Sequence, residues 1–328
     1  MGVVRQLRQV DADPAGIDLA FRADVHAGLS EPQKAIPARW FYDATGSALF
    51  EDITALPEYY PTRSETGLLK RHAGALAAAI GPGRAVVELG SGSSAKTPLL
   101  LDAIAPAAYV PVDISGDFLR DSARALSARL PGLPVYPVEA DFTQRVALPR
   151  EIADLPKLGF FPGSTIGNMV AHTAVDLLRT WRRALGDGSM LLIGIDRIKD
   201  IGVLTRAYDD PAGVTAAFNL NLLERINREL DGTIPVENFT HRAVWDDVHA
   251  RIEMHLVAAC DMDFTVDGRR YHMAGGETIH SENSHKYGPR DANLLLLAGG
   301  WTPLATWDDA DPAFALILAE ATAHRSAP

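Results

Sequence analysis

Cysteine is nearly absent from this chain of 328 residues, which has Cys260 alone. A single thiol cannot form a disulfide within the chain, so packing and hydrogen bonds must hold the fold. Because Cys260 ends the apolar run 256–260, we predict that it fills space in the core as a small hydrophobic side chain.

Long apolar runs and an excess of positive charge are also missing. No segment reaches the roughly 20 apolar residues of a membrane span, and no secretory segment opens the chain. The 31 Lys and Arg are outnumbered by 42 Asp and Glu, which gives a net charge of −11. This balance argues against nucleic acid or an anionic membrane as partner. We therefore expect a cytoplasmic monomer that acts on a small molecule.

What the chain does contain is an ordinary globular composition, with 47% hydrophobic and 22% charged residues. Its length exceeds that of most single compact cores. We therefore expect one domain with a large insertion, or two domains.

The most informative segment is 85–97, where an apolar run ends in Glu88 and is followed by two glycines, Gly90 and Gly92, and an apolar-periodic stretch. This order predicts a strand, a tight turn and a helix, the first unit of a doubly wound sheet. Asp113 follows the next apolar run, about twenty residues on, where a carboxylate can accept hydrogen bonds from a ribose diol.

Two nucleotide-like ligands are compatible with this segment. A dinucleotide site favours G-x-G-x-x-G, and the third position here is Ala95, which that pattern sometimes allows. S-adenosylmethionine (SAM) carries an ammonium group and an adenine, which suit the acidic Glu88 and the pair Asp141-Phe142 better. The segment could also be a glycine turn that binds nothing, with acidic residues at the strand ends by chance. Glu88, Asp113 and Asp141 follow one another at successive strand ends, and this order favours SAM binding.

Strand and helix alternate regularly over residues 62–196, and Thr62 with Glu65 predicts a capping box at the first helix. Alternating runs over 239–287 predict antiparallel strands, and runs at 304–307 and 314–318 a terminal hairpin. The predicted fold is α/β, a doubly wound, Rossmann-like SAM-dependent methyltransferase sheet with an inserted α+β substrate domain. We assign 61–196 and 287–328 to SAM binding, and 1–60 and 197–286 to a composite substrate domain.

Six strings, in order from about residue 20 to the C-terminus, resemble the histidine-specific Nα-methyltransferases of ergothioneine biosynthesis. They are Trp40-Phe-Tyr-Asp43, Leu56-Pro-Glu-Tyr-Tyr-Pro-Thr-Arg63, Glu88-Leu-Gly-Ser-Gly92, Gly163-Ser-Thr-Ile-Gly-Asn168, Arg206-Ala-Tyr-Asp-Asp210 and Ser281-Glu-Asn-Ser284. The resemblance implies trimethylation of the α-amine of L-histidine to hercynine, with SAM as donor and the mono- and dimethyl forms as intermediates.

The resemblance also implies roles for particular residues. It places Asn168 and Tyr208 at the amino-acid head group, with Tyr42 and Tyr59 lining that end, and Tyr42 also near the cofactor. We expect Tyr59 to orient the amine or a relay water, and count Tyr59, Asn168 and Tyr42 as catalytic. It implies that Glu282 and Ser284 bond the two imidazole nitrogens, with Met254 packed on the ring. The cofactor residues that it implies are Gly90, Lys96, Asp113, Asp141 and Phe142.

The chemistry of an imidazole suits this assignment, because it offers a donor and an acceptor when neutral and two donors when protonated. Glu282 and Ser284, two apart in a strand, are expected on one face, where a carboxylate and a hydroxyl can read both nitrogens. Asn283 and His285 depart from the apolar or small neighbours that we expect there. The histidines show neither H-E-x-x-H nor paired-cysteine spacing, so we predict no metal.

Three other functions compete with this one. Another aromatic amino acid such as tryptophan could be the substrate, although an indole offers one donor and would leave a reader unused. An NAD-dependent oxidoreductase is disfavoured by Glu88 and the terminal hairpin. A SAM-binding protein without catalysis is disfavoured by the full set of polar groups on the substrate side.

Overall fold

The computed structural model describes residues 18–92, 96–310 and 313–322. These residues form two compact units, one of 61–198 and 285–322, the other of 18–60 and 199–284. The sequence-based division at 60/61, 196/197 and 286/287 assigned SAM binding to one part and substrate binding to the other. Both assignments stay predictions. Within the described ranges, no helix is both long and apolar enough to cross a membrane.

The helices of the described residues are α1 (Leu19–Ser30), α2 (Ala44–Ala55), α3 (Tyr60–Arg71), α4 (Ala73–Ile80), α5 (Thr97–Ile104), α6 (Gly116–Arg129), α7 (Ala171–Leu185), α8 (Ile201–Tyr208), α9 (Val214–Glu229) and α10 (Pro289–Ala298). Short 3₁₀ turns include Ala38–Phe41 and Thr165–Asn168.

The strands are β1 (Lys34–Ala35), β2 (Ala85–Leu89), β3 (Ala108–Asp113), β4 (Val138–Glu139), β5 (Lys157–Phe161), β6 (Met190–Asp196), β7 (Phe239–Asp246), β8 (Arg251–Ala258), β9 (Met262–Val266), β10 (Arg269–Met273), β11 (Thr278–His285), β12 (Trp301–Ala310) and β13 (Ala313–Ala321).

The first unit is built on a seven-stranded sheet of order β12-β13-β6-β5-β2-β3-β4. Strands β4, β3, β2, β5 and β6 pair in parallel, whereas β13 pairs antiparallel with both β6 and β12. The doubly wound sheet and its terminal hairpin are therefore confirmed. The chain changes direction across the sheet between β2 and β5, and ligands of such sheets bind beyond the carboxyl ends of the strands at that point.

Both faces of this sheet are buried, as expected for parallel strands between helices. Neighbouring residues of β2 enter opposite cores because side chains alternate along a strand. Val87 packs in the core that contains Trp181 of α7 and Leu296 of α10, and Val86 packs in the one that contains Leu69 of α3 and Leu100 of α5. This packing fixes the strand ends that carry the candidate site.

The second unit contains a four-stranded sheet of order β1-β11-β8-β7 and the hairpin β9–β10. β1 is parallel to β11, and β7 is antiparallel to β8. One core cluster joins residues 21–60 to α9 and the sheet, with Phe41, Phe218 and Ile252 among its members. The predicted antiparallel strands are thus confirmed.

Two local predictions are wrong. Cys260 is exposed, because it lies in the turn between β8 and β9 and not in the core. The capping box fails because α3 begins at Tyr60, so Thr62 is inside the helix. The carboxylate of Glu65 instead bonds residues that are distant in sequence.

Candidate active site

The glycine turn after β2 is shaped around an aromatic ring. Gly90 has φ of 68° and Gly92 φ of 49°, in the left-handed region that favours glycine. A Cβ on Gly90 would lie 3.2 Å from a ring carbon of Phe142. Sequence analysis predicted both residues as cofactor contacts, and the structure brings them together.

Asp113 lies at the end of β3, beside the same turn. Its Oδ2 accepts from the Gly92 N–H at 2.9 Å and its Oδ1 from the Ser115 N–H at 2.9 Å. Burial raises the pKa of Asp113, against the opposing effect of these hydrogen bonds. An ionised carboxylate only accepts hydrogen bonds, which is the chemistry that the two hydroxyls of a ribose require.

Asp141 and Phe142 follow β4. Oδ1 of Asp141 accepts from the N–H and the hydroxyl of Thr143, which fixes the turn. The carbonyl of Phe142 accepts from the Trp181 indole at 2.9 Å, and its ring meets that of Phe161 edge-on at 5.7 Å. Trp181 thus holds the backbone of Phe142, and Phe161 packs against its ring.

Glu88 has a different place from the one that its sequence position indicated. Its side chain is buried and accepts from the Thr97 hydroxyl at 2.9 and 2.7 Å and from the Tyr109 hydroxyl. Burial raises its pKa to about 7. Glu88 therefore ties the start of α5 to the sheet beneath the glycine turn, and we no longer assign it to the ammonium of SAM.

Glu65 joins two loops of the first unit and was missed as a site residue. Its fully buried carboxylate pairs with the Lys96 ammonium and accepts from the Gly163 N–H at 2.9 and 3.1 Å. The structure thus gives Lys96 a partner within the protein, and its predicted contact with the cofactor stays a prediction. No local pattern reveals Glu65, because these partners lie 31 and 98 positions away.

Asn168 ends the 3₁₀ turn that follows β5. It does not cap α7, whose N-cap residue is Val170 and has no side-chain cap. The preceding carbonyl, that of Gly167, accepts from Nδ1 of His285 at 2.8 Å. A Cβ on Gly167 would lie 2.8 Å from the carbonyl oxygen of His285, so these segments are in close contact. His285, which stands where an apolar or small residue was expected, therefore positions the turn that carries Asn168.

The predicted aromatic residues of the second unit gather in one cluster. Tyr59 and Tyr208 are both buried, and their rings meet edge-on at 6.2 Å. Tyr42 meets Phe218 at 5.8 Å, and Met254 is buried in the same core. The structure therefore brings together four of the predicted substrate-side residues.

Asp43 holds the segment that carries Tyr42. It accepts from the Gly46 N–H at 2.7 Å, Asn221 at 2.9 Å and Arg228 at 2.5 Å. Burial raises the pKa of Asp43, but these hydrogen bonds outweigh it and keep the pKa below its ordinary value. The Trp-Phe-Tyr-Asp string is thus anchored to α9 by an ionised carboxylate.

Tyr208 is held through both its side-chain hydroxyl and its backbone carbonyl. Its hydroxyl is 2.7 Å from the Ser284 hydroxyl, and its carbonyl oxygen is 2.7 Å from Nε2 of His241. Nδ1 of His241 lies 2.8 Å from the amide nitrogen of Asn219, and burial lowers the pKa of His241. A neutral ring with its proton on Nε2 satisfies both contacts. The predicted head-group and imidazole residues, Tyr208 and Ser284, therefore bond each other.

The strand β11 carries Glu282 and Ser284, but its alternation is interrupted. Ile279 and Ser281 are buried, and the next buried residue is Ser284, three positions on. The burial pattern thus shifts by one residue, as at a β-bulge. Glu282 is half-buried whereas Ser284 is buried, so the simple alternation that predicted one shared face does not hold across these two residues.

Comparisons with known proteins agree with this architecture. Residues 21–321 match the family described as histidine-specific methyltransferase, SAM-dependent. The histidine N-alpha-methyltransferase of Mycolicibacterium smegmatis is 40% identical over 315 residues, 92% of this chain and 94% of that protein. That of Mycobacterium tuberculosis is 38% identical over 316 residues, 92% and 95% of the two chains.

A third relative is longer. Ergothioneine biosynthesis protein 1 of Neurospora crassa is 28% identical over 286 residues, which are 84% of this chain and 32% of that protein. The match at 21–321 and the two relatives of 38% and 40% identity cover both compact units and confirm the predicted resemblance and SAM dependence. The chain belongs to the family of SAM-dependent, histidine-specific methyltransferases.

Proposed function

We propose that this protein transfers three methyl groups, in succession, from SAM to the α-amine of L-histidine and yields hercynine for ergothioneine biosynthesis. The observation that carries the proposal is 38–40% identity to two histidine N-alpha-methyltransferases over 92% of the chain. The name of the Neurospora relative supports the pathway.

The first unit fits SAM. A Cβ at Gly90 would lie only 3.2 Å from the Phe142 ring, so backbone and ring form a narrow cradle. The carboxylate of Asp113 beside the glycine turn suits the ribose diol, and Asp141 beside Phe142 suits the adenine end. When bound, SAM supplies a methyl group on a positively charged sulfur.

The reaction requires a neutral amine in line with the bond between that methyl carbon and the sulfur. A carbon–nitrogen bond forms while the carbon–sulfur bond breaks, and its electron pair stays on sulfur. The proton of the starting ammonium passes to solvent, with Tyr59 orienting the amine or a relay water. Alignment of reactants lowers such barriers by roughly 7–11 kcal/mol, so positioning is the main task of the protein.

We assign the substrate contacts residue by residue. Asn168 and Tyr208 hold the amino-acid head group, and Tyr42 lines that end and reaches the cofactor. Glu282 accepts from one imidazole nitrogen, whereas Ser284 can donate to or accept from the other. Met254 packs on the ring. The bond between Tyr208 and Ser284 supports this set, because it places a residue assigned to the head group within 2.7 Å of one assigned to the imidazole.

The proposal is tested by incubating the purified chain with SAM and each of several amino acids, and counting added methyl groups by mass spectrometry. L-Histidine should gain up to three methyl groups, while tryptophan, tyrosine and phenylalanine should remain unmodified. A reaction with NAD in place of SAM is the matched blank. Methylation of tryptophan in preference to histidine would overturn the substrate assignment, and absence of any methylated product would overturn the activity.

The proposal includes a cytoplasmic location and a monomeric state. Sedimentation equilibrium on the purified chain tests the second point. A mass near 35.3 kDa is expected, and a multiple of it would contradict a monomer.

A further inference from the structure

Three potential metal ligands meet on the second unit, apart from the residues assigned to substrate. Glu253 and His255 lie on β8, and His280 lies on β11. One ligand atom of each lies within 4.8 Å of the others. Nε2 of His255 is 2.9 Å from Oε2 of Glu253, and the two imidazole rings stack at 4.8 Å.

The cluster lies on the opposite face of β8 from the core. Ile252, Met254 and Leu256 are buried in the core cluster, and side chains alternate along a strand. Glu253 and His255 therefore point away from Met254, the residue assigned to the substrate ring. The cluster is thus separate from the Met254 face.

The hydrogen bonds around the cluster resemble those that orient metal ligands. Arg251 bonds Oε1 of Glu253, at 2.9 Å through Nε, and this leaves Oε2 toward His255. Nε2 of His280 lies 3.0 Å from the carbonyl oxygen of Glu282, which suits an N–H donor and leaves the lone pair on Nδ1. Ligating histidines commonly donate their second N–H to a carbonyl or carboxylate, and ligating carboxylates are themselves hydrogen-bonded.

The His255 ring is only 7% exposed, so it is held in place where Nε2 faces Glu253. Its Nδ1 is buried with no hydrogen-bond partner among the described residues. An ion held by Nε2 does not change that atom, so the site rests on Nε2, Oε2 of Glu253 and the His280 ring.

We propose that Glu253, His255 and His280 bind one divalent transition-metal ion of the Zn²⁺ class and so link β8 to β11. Two imidazoles and one carboxylate suit Zn²⁺, whereas Mg²⁺ and Ca²⁺ prefer oxygen ligands alone. With bonds of about 2.0–2.1 Å, two ligands of a tetrahedral ion lie about 3.3 Å apart. Nε2 and Oε2 are 2.9 Å apart, so they would separate by about 0.4 Å around the ion. A solvent molecule can fill the fourth position. The sequence-based expectation of no metal rested on contiguous motifs, which cannot reveal ligands from two strands.

The test uses the full chain without an affinity tag, treated with a chelator and then titrated with ZnCl₂ by calorimetry. SAM and histidine are left out, because free histidine itself binds zinc; the result is then independent of the proposed methylation. We expect one Zn²⁺ per chain and a higher melting temperature, since a ligand that binds only the folded state stabilises it. A melting temperature that does not change at saturating zinc would contradict the proposal that the ion links β8 to β11.

Ligand variants locate the ion. His255→Gln and His280→Gln should each weaken zinc binding by at least about 10–100-fold, the loss seen when only the outer partners of a ligand are removed. The matched controls are His272→Gln, an exposed histidine paired with Asp263, and Cys260→Ser, an exposed thiol. Both controls should keep the affinity of the parent.

A rescue variant covers the case in which a substitution disturbs the fold. His280→Cys retains a zinc ligand and should bind zinc more tightly than His280→Gln, with circular dichroism confirming that both are folded. Equal zinc affinity in the parent and the His255→Gln and His280→Gln variants would overturn the site, as would absence of stoichiometric binding. The cluster would then be a hydrogen-bonded network of Arg251, Glu253 and the two histidines.

Discussion

Glu282 is the residue on which the choice of histidine depends in the proposed function. Replacing it with Ala removes the acceptor for an imidazole N–H. We expect Glu282→Ala to raise the KM for histidine far more than it changes SAM affinity, and to narrow the preference over other aromatic amino acids. Steady-state kinetics with each amino acid, and calorimetry with SAM, measure the two effects.

The matched control for this variant is Glu237→Ala, an exposed acid of the same unit. It should leave both constants unchanged. A Glu282→Ala enzyme with the preference of the parent for histidine would place the imidazole reader elsewhere.

Glu88 should make the stability of the protein depend on pH. Its pKa is raised from 4.5 to about 7, so the folded state binds this proton more tightly than the unfolded state does. The stabilisation is therefore complete below the unfolded pKa and is lost as the pH rises through the folded pKa. Relative to Glu88→Gln, the parent should lose up to about 3 kcal/mol of unfolding free energy between about pH 5 and pH 8.

Denaturant unfolding of both proteins across that range measures the difference. A parent and a Glu88→Gln variant whose stabilities differ by the same amount at every pH would show that Glu88 keeps its charge when folded.

At the scale of helices, strands and turns, periodicity predicted what depends on neighbouring residues. The strand–turn–helix at Gly90 and the antiparallel strands of the second unit were found because burial repeats along each element. The capping box at Thr62 failed because α3 begins two residues earlier, at Tyr60, and Glu65 bonds residues on other elements. The pairing of Tyr208 with Ser284 was also unpredictable, since no local pattern reports a contact across 76 positions.

The bridge from Glu65 to Lys96 and Gly163 should be measurable as a coupling. Glu65→Gln leaves the Lys96 charge without its partner and should cost about 3 kcal/mol or less, because Lys96 retains some exposure. Lys96→Met alone leaves a buried carboxylate and should cost more. The double variant should cost less than the sum, which unfolding free energies of the four proteins would show. Strict additivity would mean that the two side chains do not stabilise each other.

The turn at Asn168 should control how far methylation proceeds. The first two products are amines that must lose a proton and realign before the next transfer, whereas the quaternary product cannot react. Asn168→Ala should lower kcat as well as raise KM, and should accumulate mono- and dimethylhistidine. Time courses read by mass spectrometry test this. Normal turnover with only trimethylated product would remove Asn168 from the site.

At the scale of the whole molecule, composition excluded partners but could not define the site. Length predicted two domains or one domain with an insertion, and the net charge predicted an acidic protein. The resemblance to a family came only from six strings spread over the chain. Those strings contain residues at the ends of helices and strands, which is where binding and catalytic side chains commonly lie. The supporting roles of Glu65, His285 and Asp43 became evident only from the structure, because they depend on tertiary contacts.

The net charge of −11 should act on the two forms of the cofactor differently. SAM carries one net positive charge, from a sulfonium and an ammonium against a carboxylate, whereas its demethylated product is neutral overall. The field of an acidic protein speeds association of a cation, and salt screens that field over about 10 Å at 0.1 M. We expect the association rate of SAM to fall by roughly two- to tenfold from low ionic strength to about 0.5 M, and that of the product to change little. Stopped-flow fluorescence of the five tryptophans can follow both ligands. An equal fall for both would show that salt changes the protein itself, and that its charge does not steer the donor.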